Sequence, residues 1–124
     1  MKIVFTNEAK KDIVDIVQYA ARDNLNIANN IFDKVWYTCK LIANMPEMGT
    51  AIDSLINSSE VGEQIQEIID SAPLLNEVRR FPVSGFSKLI IFYKVDNKKL
   101  KVVRILHGSR DIPAVFMTMF TDID

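Results

Sequence analysis

Two apolar runs near the C-terminal end constrain this chain most: K-L-I-I-F-Y-K-V at residues 88–95 and L-K-V-V-R-I-L-H at 100–107, separated by D-N-K-K at 96–99. β-branched and aromatic residues dominate both runs, as they do in strands that pack on a half-buried surface. The polar tetrapeptide between them reads as a hairpin turn. Upstream, N-E-V-R-R-F-P-V at 76–83 is extended, and Pro82 removes a ladder donor, which places it at an edge or a strand end. S-G-F-S at 84–87 is the turn that joins it to the first run. The last third is therefore a three-strand meander.

The first third follows a different period. K-I-V-F-T at 2–6 reads as a short strand, and Thr6 or Asn7 can cap a helix with Glu8 in its first turn. Ala9, Ile13, Ile16, Val17 and Ala20 then share one helical stripe. D-N-L-N at 23–26 is a turn, and a second helix starts at Asn26 or a neighbour, with Ala28, Ile31, Phe32, Val35, Cys39 and Ile42 as its stripe. It ends before Pro46, because a residue preceding proline resists the helical region. Two helices joined so closely pack as an antiparallel hairpin. A third helix is expected from Ser59 to about Ser71, closed by Pro73.

This order predicts an α+β fold: an N-terminal strand and an α-helical hairpin packed on a mainly antiparallel sheet of 3–4 strands, with an extra helix inserted before the meander. The 124 residues fit one domain, 1–124, which needs no disulfide or metal to fold. Cys39 is the single cysteine, so an internal disulfide is excluded and a zinc site is disfavoured. No metal, no cofactor and no membrane association are expected, since no phosphate loop, ligand spacing, glycine-rich fingerprint or bilayer-length apolar run occurs. The N-terminal stretch lacks a secretory-signal pattern, and a cytoplasmic protein is the expectation.

The net charge of −1 conceals a division. Residues 46–78 hold seven acids and no Lys or Arg, so the acidic insertion, 50–77, lies in a segment of charge −7. Residues 79–111 hold nine bases against Asp96 and Asp111, a segment of charge +7. Such asymmetry concerns partners rather than fold. The basic segment suits an anion, an acidic protein, or the acidic insertion beside it.

Chemistry could reside in H-G-S-R-D at 107–111. Cutting RNA by attack of its own 2′-hydroxyl requires a base, an acid and cations around the phosphate. Arg80, Arg104 and Arg110 are candidate cations, and His107 is the one side chain with an ordinary pKa near neutrality. A second proton-transfer group cannot be named. The structural readings are equally concrete. His107 follows Val103 and Ile105 at period two, so it can close a strand by bonding a carbonyl; Arg79 and Arg80 must point to opposite faces; and the lysines at 94, 98, 99 and 101 flank a solvated turn. Trp36 and Tyr37 read as core or interface residues on a helix.

Five segments in order carry a resemblance: F-T-N-E-A-K-K-D-I-V-D-I-V-Q-Y at 5–19, L-I-A-N-M-P-E-M-G at 41–49, V-R-R-F-P-V at 78–83, L-I-I-F-Y-K-V at 89–95 and V-V-R-I-L-H-G-S-R-D at 102–111. Together they resemble the RelE/ParE superfamily of type II toxin–antitoxin toxins, nearer the ParE branch. The resemblance implies a growth-inhibiting toxin of the plasmid-stabilisation kind, neutralised by an antitoxin protein and acting on DNA gyrase by contact. Arg79, Arg80, Arg104, Arg110, Phe116 and Phe120 are then the expected target- or partner-binding residues. A RelE-type endoribonuclease acting on mRNA at the ribosome is the alternative, with Arg80, His107 and Arg110 as its catalytic set. A third reading is a non-toxic relative whose acidic insertion covers the basic strands. A homo-oligomer or a toxin–antitoxin hetero-oligomer fits each of them. Three departures stand out: the chain is slightly acidic, the link between P-E-M-G and V-R-R-F is long, and the C-terminal arm has phenylalanines with no tyrosine.

Overall fold

The computed structural model describes residues 1–52, 66–67, 70 and 77–108. The elements run β1 (Lys2–Phe5), α1 (Asn7–Ala21), α2 (Leu25–Asn44), a single 3-10 turn (Pro46–Met48), β2 (Thr50–Ala51), β3 (Arg79–Val83), β4 (Phe86–Asp96) and β5 (Lys99–His107). They form an α+β fold in which the helical hairpin covers one face of a five-stranded sheet of order β1-β5-β4-β3-β2. The two-residue β2 went unforeseen because two residues leave no period to read. β1 joins the far edge and pairs with β5 in parallel, while the other pairs are antiparallel.

Local chemistry sets the helix ends. Thr6 caps α1, its hydroxyl accepting from the Ala9 N–H at 3.0 Å. Asn24 caps α2 two residues earlier than Asn26, accepting from Ile27 N–H at 3.1 Å. The β3–β4 turn contains Gly85 at φ +82, and the β4–β5 turn contains Asn97 and Lys98 at φ +50 and +63. These left-handed conformations match the twist of a tight hairpin.

The core lies between the hairpin and the sheet. Ala9, Ile31, Val35, Cys39 and Ile42 meet Val83, Leu89, Ile91, Tyr93, Leu100, Val102 and Ile105. Phe32, expected in the α2 stripe, is instead 54% exposed. Its position pairs with Trp36 one turn on, and both face outward with Leu25. A bulge at Val103 keeps the β5 alternation in step with β4 on either side of it. On the face away from the helices, Phe92 and Leu106 are also buried.

β1 covers β5 only from Lys99 to Val102. Beyond it the open edge is closed by side chains from the start of α1. The Thr6 N–H donates to Val102 O at 3.0 Å and the Thr6 hydroxyl to Val103 O at 2.7 Å. Asp12 Oδ2 then accepts from the Ile105 N–H at 3.0 Å. These three bonds occupy part of the β5 edge beyond β1.

In the acidic insertion, Gln66, Glu67 and Asp70 are helical and exposed, and Gln66 donates to Asp70 at 2.7 Å. The remainder of the expected third helix lies outside the described residues, as does the expected terminal arm.

Candidate functional site

The strand register decides where each basic residue goes. Arg79 and Arg80 alternate as expected. Arg79 stands in a row with Tyr93 and Val102 on the helix side, whereas Thr50, Arg80, Phe92 and Arg104 form one row across four strands on the other face. His107 lies opposite Leu89, on the helix side, at the end of β5. Arg80 and His107 therefore sit on opposite faces. Arg110, Phe116 and Phe120 lie outside the described residues.

Arg79 is part of a lock on the chain that leaves α2. Its Nη1 donates to Gly49 O at 2.8 Å. The Tyr93 hydroxyl accepts from the Gly49 N–H at 2.9 Å and donates to Pro46 O at 2.7 Å. A Cβ on Gly49 would stand 2.8 Å from two carbons of the Tyr93 ring, so a glycine is required here. Burial pushes the Tyr93 phenol above its ordinary value, with the nearby Glu47 adding to that; the Gly49 N–H and Arg79 oppose it. The phenol is therefore neutral at physiological pH and serves as a bridge between the loop and the sheet.

Arg104, expected to face a partner, is 8% exposed. Its Nε and Nη2 donate to the two Asp12 carboxylate oxygens at 2.7 and 2.9 Å. A planar guanidinium and a carboxylate fit each other in this two-point way. The burial corrects the expectation that Arg104 lies open to a partner. Asp12, which composition marked only as one acid in a helix, is the residue the sequence reading missed. Its period was the available signal: it follows Ala9 by three positions and so shares the buried side of α1.

Arg80 has its Nε buried without a hydrogen-bond partner. Lys94 is 6% exposed, and its ammonium lies 3.7 Å from Glu77, so one residue of the acidic insertion does meet a base of the sheet. Cys39 is buried in the core, and desolvation pushes its thiol up to about 12, which leaves it inert.

Two apolar depressions flank α1. One, of about 670 Å³, opens between α1 and the ends of β4 and β5, with Ile16, Tyr19, Phe86 and Leu89 in its wall and the exposed His107 at its rim. The other, of about 340 Å³, lies between the outer sides of α1 and α2 and is lined by Phe5, Ile13, Val14, Phe32 and Trp36. Phe5 and Trp36 stack with centroids 6.2 Å apart, and the Lys40 ammonium lies 5.7 Å from the Trp36 ring. Trp36 is 41% exposed, so it is a surface residue rather than a core one. Among the described residues no group of three or more His, Cys, Asp or Glu is placed to hold a metal ion, and no helix is long and apolar enough to cross a membrane.

The fold and these surfaces can be set beside known proteins. The family model for the ParE toxin of the type II toxin–antitoxin system, parDE, matches residues 3–112. A solved chain of the chromosomal ParDE toxin–antitoxin system from P. aeruginosa is similar in fold, with a TM-score of 0.57 over 86% of this chain and 95% of that one, at 17% identity. No curated protein matches. The family match spans the helical hairpin, the Gly49–Tyr93 lock and the strands from Ile3 onward, and on it the chain belongs to the ParE toxin family of type II toxin–antitoxin systems.

Proposed function

We propose that this protein is a cytoplasmic toxin that acts by contact on DNA gyrase and is neutralised by an antitoxin bound over its surface. The observation that carries the contact reading is the separation of Arg80 from His107. A ribonuclease site needs its cations and its proton-transfer group around one phosphate. The register puts these two side chains on opposite faces of one sheet, and Arg104 is engaged by Asp12. Binding needs no such convergence.

The antitoxin occupies the apolar groove between α1 and α2. An amphipathic segment fits a groove of this kind through apolar anchors, here received by Phe32, Val14 and Trp36. Exposed large apolar side chains clustered on one face are the usual mark of such an interface.

The test is a DNA supercoiling assay with purified gyrase, run beside incubation of the protein with RNA and translating ribosomes. Inhibition of supercoiling that persists in His107→Ala, without RNA cleavage, is the expected result. RNA cleavage abolished by His107→Ala would overturn the contact reading in favour of an endoribonuclease. Growth unaffected by overexpression, with gyrase untouched, would leave a non-toxic relative.

A further inference from the structure

We infer that the corner formed by the β4–β5 hairpin and the start of β1 binds the phosphodiester backbone of duplex nucleic acid. Two features gather positive charge there. The first is register. Lys2 of β1 is paired with Lys99 of β5, whose partner across the hairpin is Asp96. Like charges directly opposite one another destabilise a sheet. Lys94, further along β4, is answered by the exposed Glu77 at 3.7 Å. Asp96, at the base of the turn, is the remaining acid among the residues of this hairpin. Lys2, Lys98 and Lys99 are exposed.

The second feature is the turn. Asn97 and Lys98 both have positive φ, at +50 and +63. A two-residue hairpin turn of this geometry favours Asn-Gly, because glycine enters the left-handed region without a Cβ penalty. Lysine stands where glycine would be the more stable residue. A strained backbone at a protruding, charged tip is an observation from which function is rightly inferred.

The chemistry of the corner selects the partner. Protein interfaces are depleted in lysine and enriched in Tyr, Trp and Arg. Lys2 and the stretch Asp96–Lys99 contain none of those three. A lysine ammonium is a point charge on a flexible stem, suited to phosphates at any angle. Single strands are held by stacking on aromatic side chains, and Lys2 with 96–99 offers no aromatic ring, so a duplex is the fitting form.

Fluorescence anisotropy with a labelled mixed-sequence DNA duplex and the full chain tests this. If three lysines each neutralise one phosphate, log affinity falls against log salt with a slope of about −2.7, or about 40-fold between 50 and 200 mM. Lys98→Gly relaxes the turn, so it folds at least as well, and it should reduce the slope by about 1. Lys98→Glu with Lys99→Glu should weaken binding at least tenfold, while Lys11→Glu on α1 leaves it unchanged. No binding at 50 mM salt would overturn the proposal. So would equal weakening by Lys11→Glu, an unchanged slope in Lys98→Gly, or polyglutamate displacing the duplex as well as unlabelled duplex does, which would make the corner a site for an acidic protein.

Discussion

Removing the Asp12 carboxylate should be among the most damaging single changes outside the apolar core. In Asp12→Ala the guanidinium of Arg104 stays buried beside the β5 edge, 8% exposed, but loses the two Asp12 oxygens it donates to, at 2.7 and 2.9 Å. Ile105 N–H loses its acceptor at 3.0 Å as well. Removing one partner of a buried ion pair costs up to about 3–5 kcal/mol. For a domain of this size that is a fall in Tm on the order of 10–20 °C. Deleting both charges together is far milder, because no buried ion is stranded. Asp12→Ala with Arg104→Met should therefore recover most of the loss, leaving about 1–2 kcal/mol for the orphaned Ile105 N–H. Urea unfolding of the wild type, both single variants and the double variant supplies the cycle. The reasoning fails if Asp12→Ala loses under 1 kcal/mol, or if the double variant is no more stable than Asp12→Ala. The double variant has a second use. If Arg104 acts only inside the fold, a folded protein lacking its charge should inhibit gyrase as the wild type does.

Four further outcomes follow from the same geometry. Gly49→Ala forces the Tyr93 ring aside and should destabilise the protein by about 1–3 kcal/mol in urea unfolding. Tyr93→Phe leaves the Gly49 N–H and Pro46 O without their partner and should cost about 1–3 kcal/mol by the same measurement. The Cys39 thiol is raised from 9.0 to about 12, so the unfolded chain ionises first as pH rises; that part of the stability is complete below pH 9 and declines by about 1.4 kcal/mol per pH unit between pH 9 and 12. Tyr93 adds loss of the same sign above pH 10, and Cys39→Ala should flatten the alkaline limb of a stability-against-pH curve relative to wild type. Phe32→Ala with Trp36→Ala should weaken antitoxin binding at least tenfold in calorimetry, while the lost Phe5–Trp36 stack costs about 0.5–1.5 kcal/mol in urea unfolding and leaves the protein folded.

The order of elements was legible because each carries a strong local period and a capping or turn residue. Thr6 caps α1, Pro46 follows α2 closely, and the two apolar runs at 88–95 and 100–107 lie within β4 and β5. The parallel β1–β5 pair was not legible, since it joins residues nearly a hundred positions apart and depends on where the hairpin carries the chain. Phe32 was misplaced for a related reason. It sits beside Ile31, and a stripe drawn wide enough to include both ignores that adjacent helical residues diverge by about 100°. Arg104 was read as open because its charge was weighed without its partner. Asp12 lies 92 positions away, and no short-range pattern links them. The opposed placement of Arg79 and Arg80 follows directly from strand alternation, and it survived into the structure.

The split between an acidic middle and a basic final third suggested one broad positive platform. The fold divides it instead. Arg79 is turned to a carbonyl of the chain leaving α2, Lys94 to Glu77, and Arg104 to an acid from the opposite end of the chain. Each of these cations is engaged within the fold, so a formal charge of +7 overstates what a partner meets. Among the described residues of the basic third, Lys98 and Lys99 at the hairpin corner and Lys88 at the other end of β4 stay exposed, while aromatic and aliphatic side chains lie along the outer helices. Surfaces so different in chemistry answer to different conditions. Association through Phe32 and Trp36 should change little as salt rises, because burying apolar area involves no counterion release, whereas contact through Lys2, Lys98 and Lys99 should fade. Titrating salt against each interaction separately therefore discriminates the two surfaces, and a steep salt dependence of antitoxin binding would place the antitoxin on the lysine corner rather than in the helical groove.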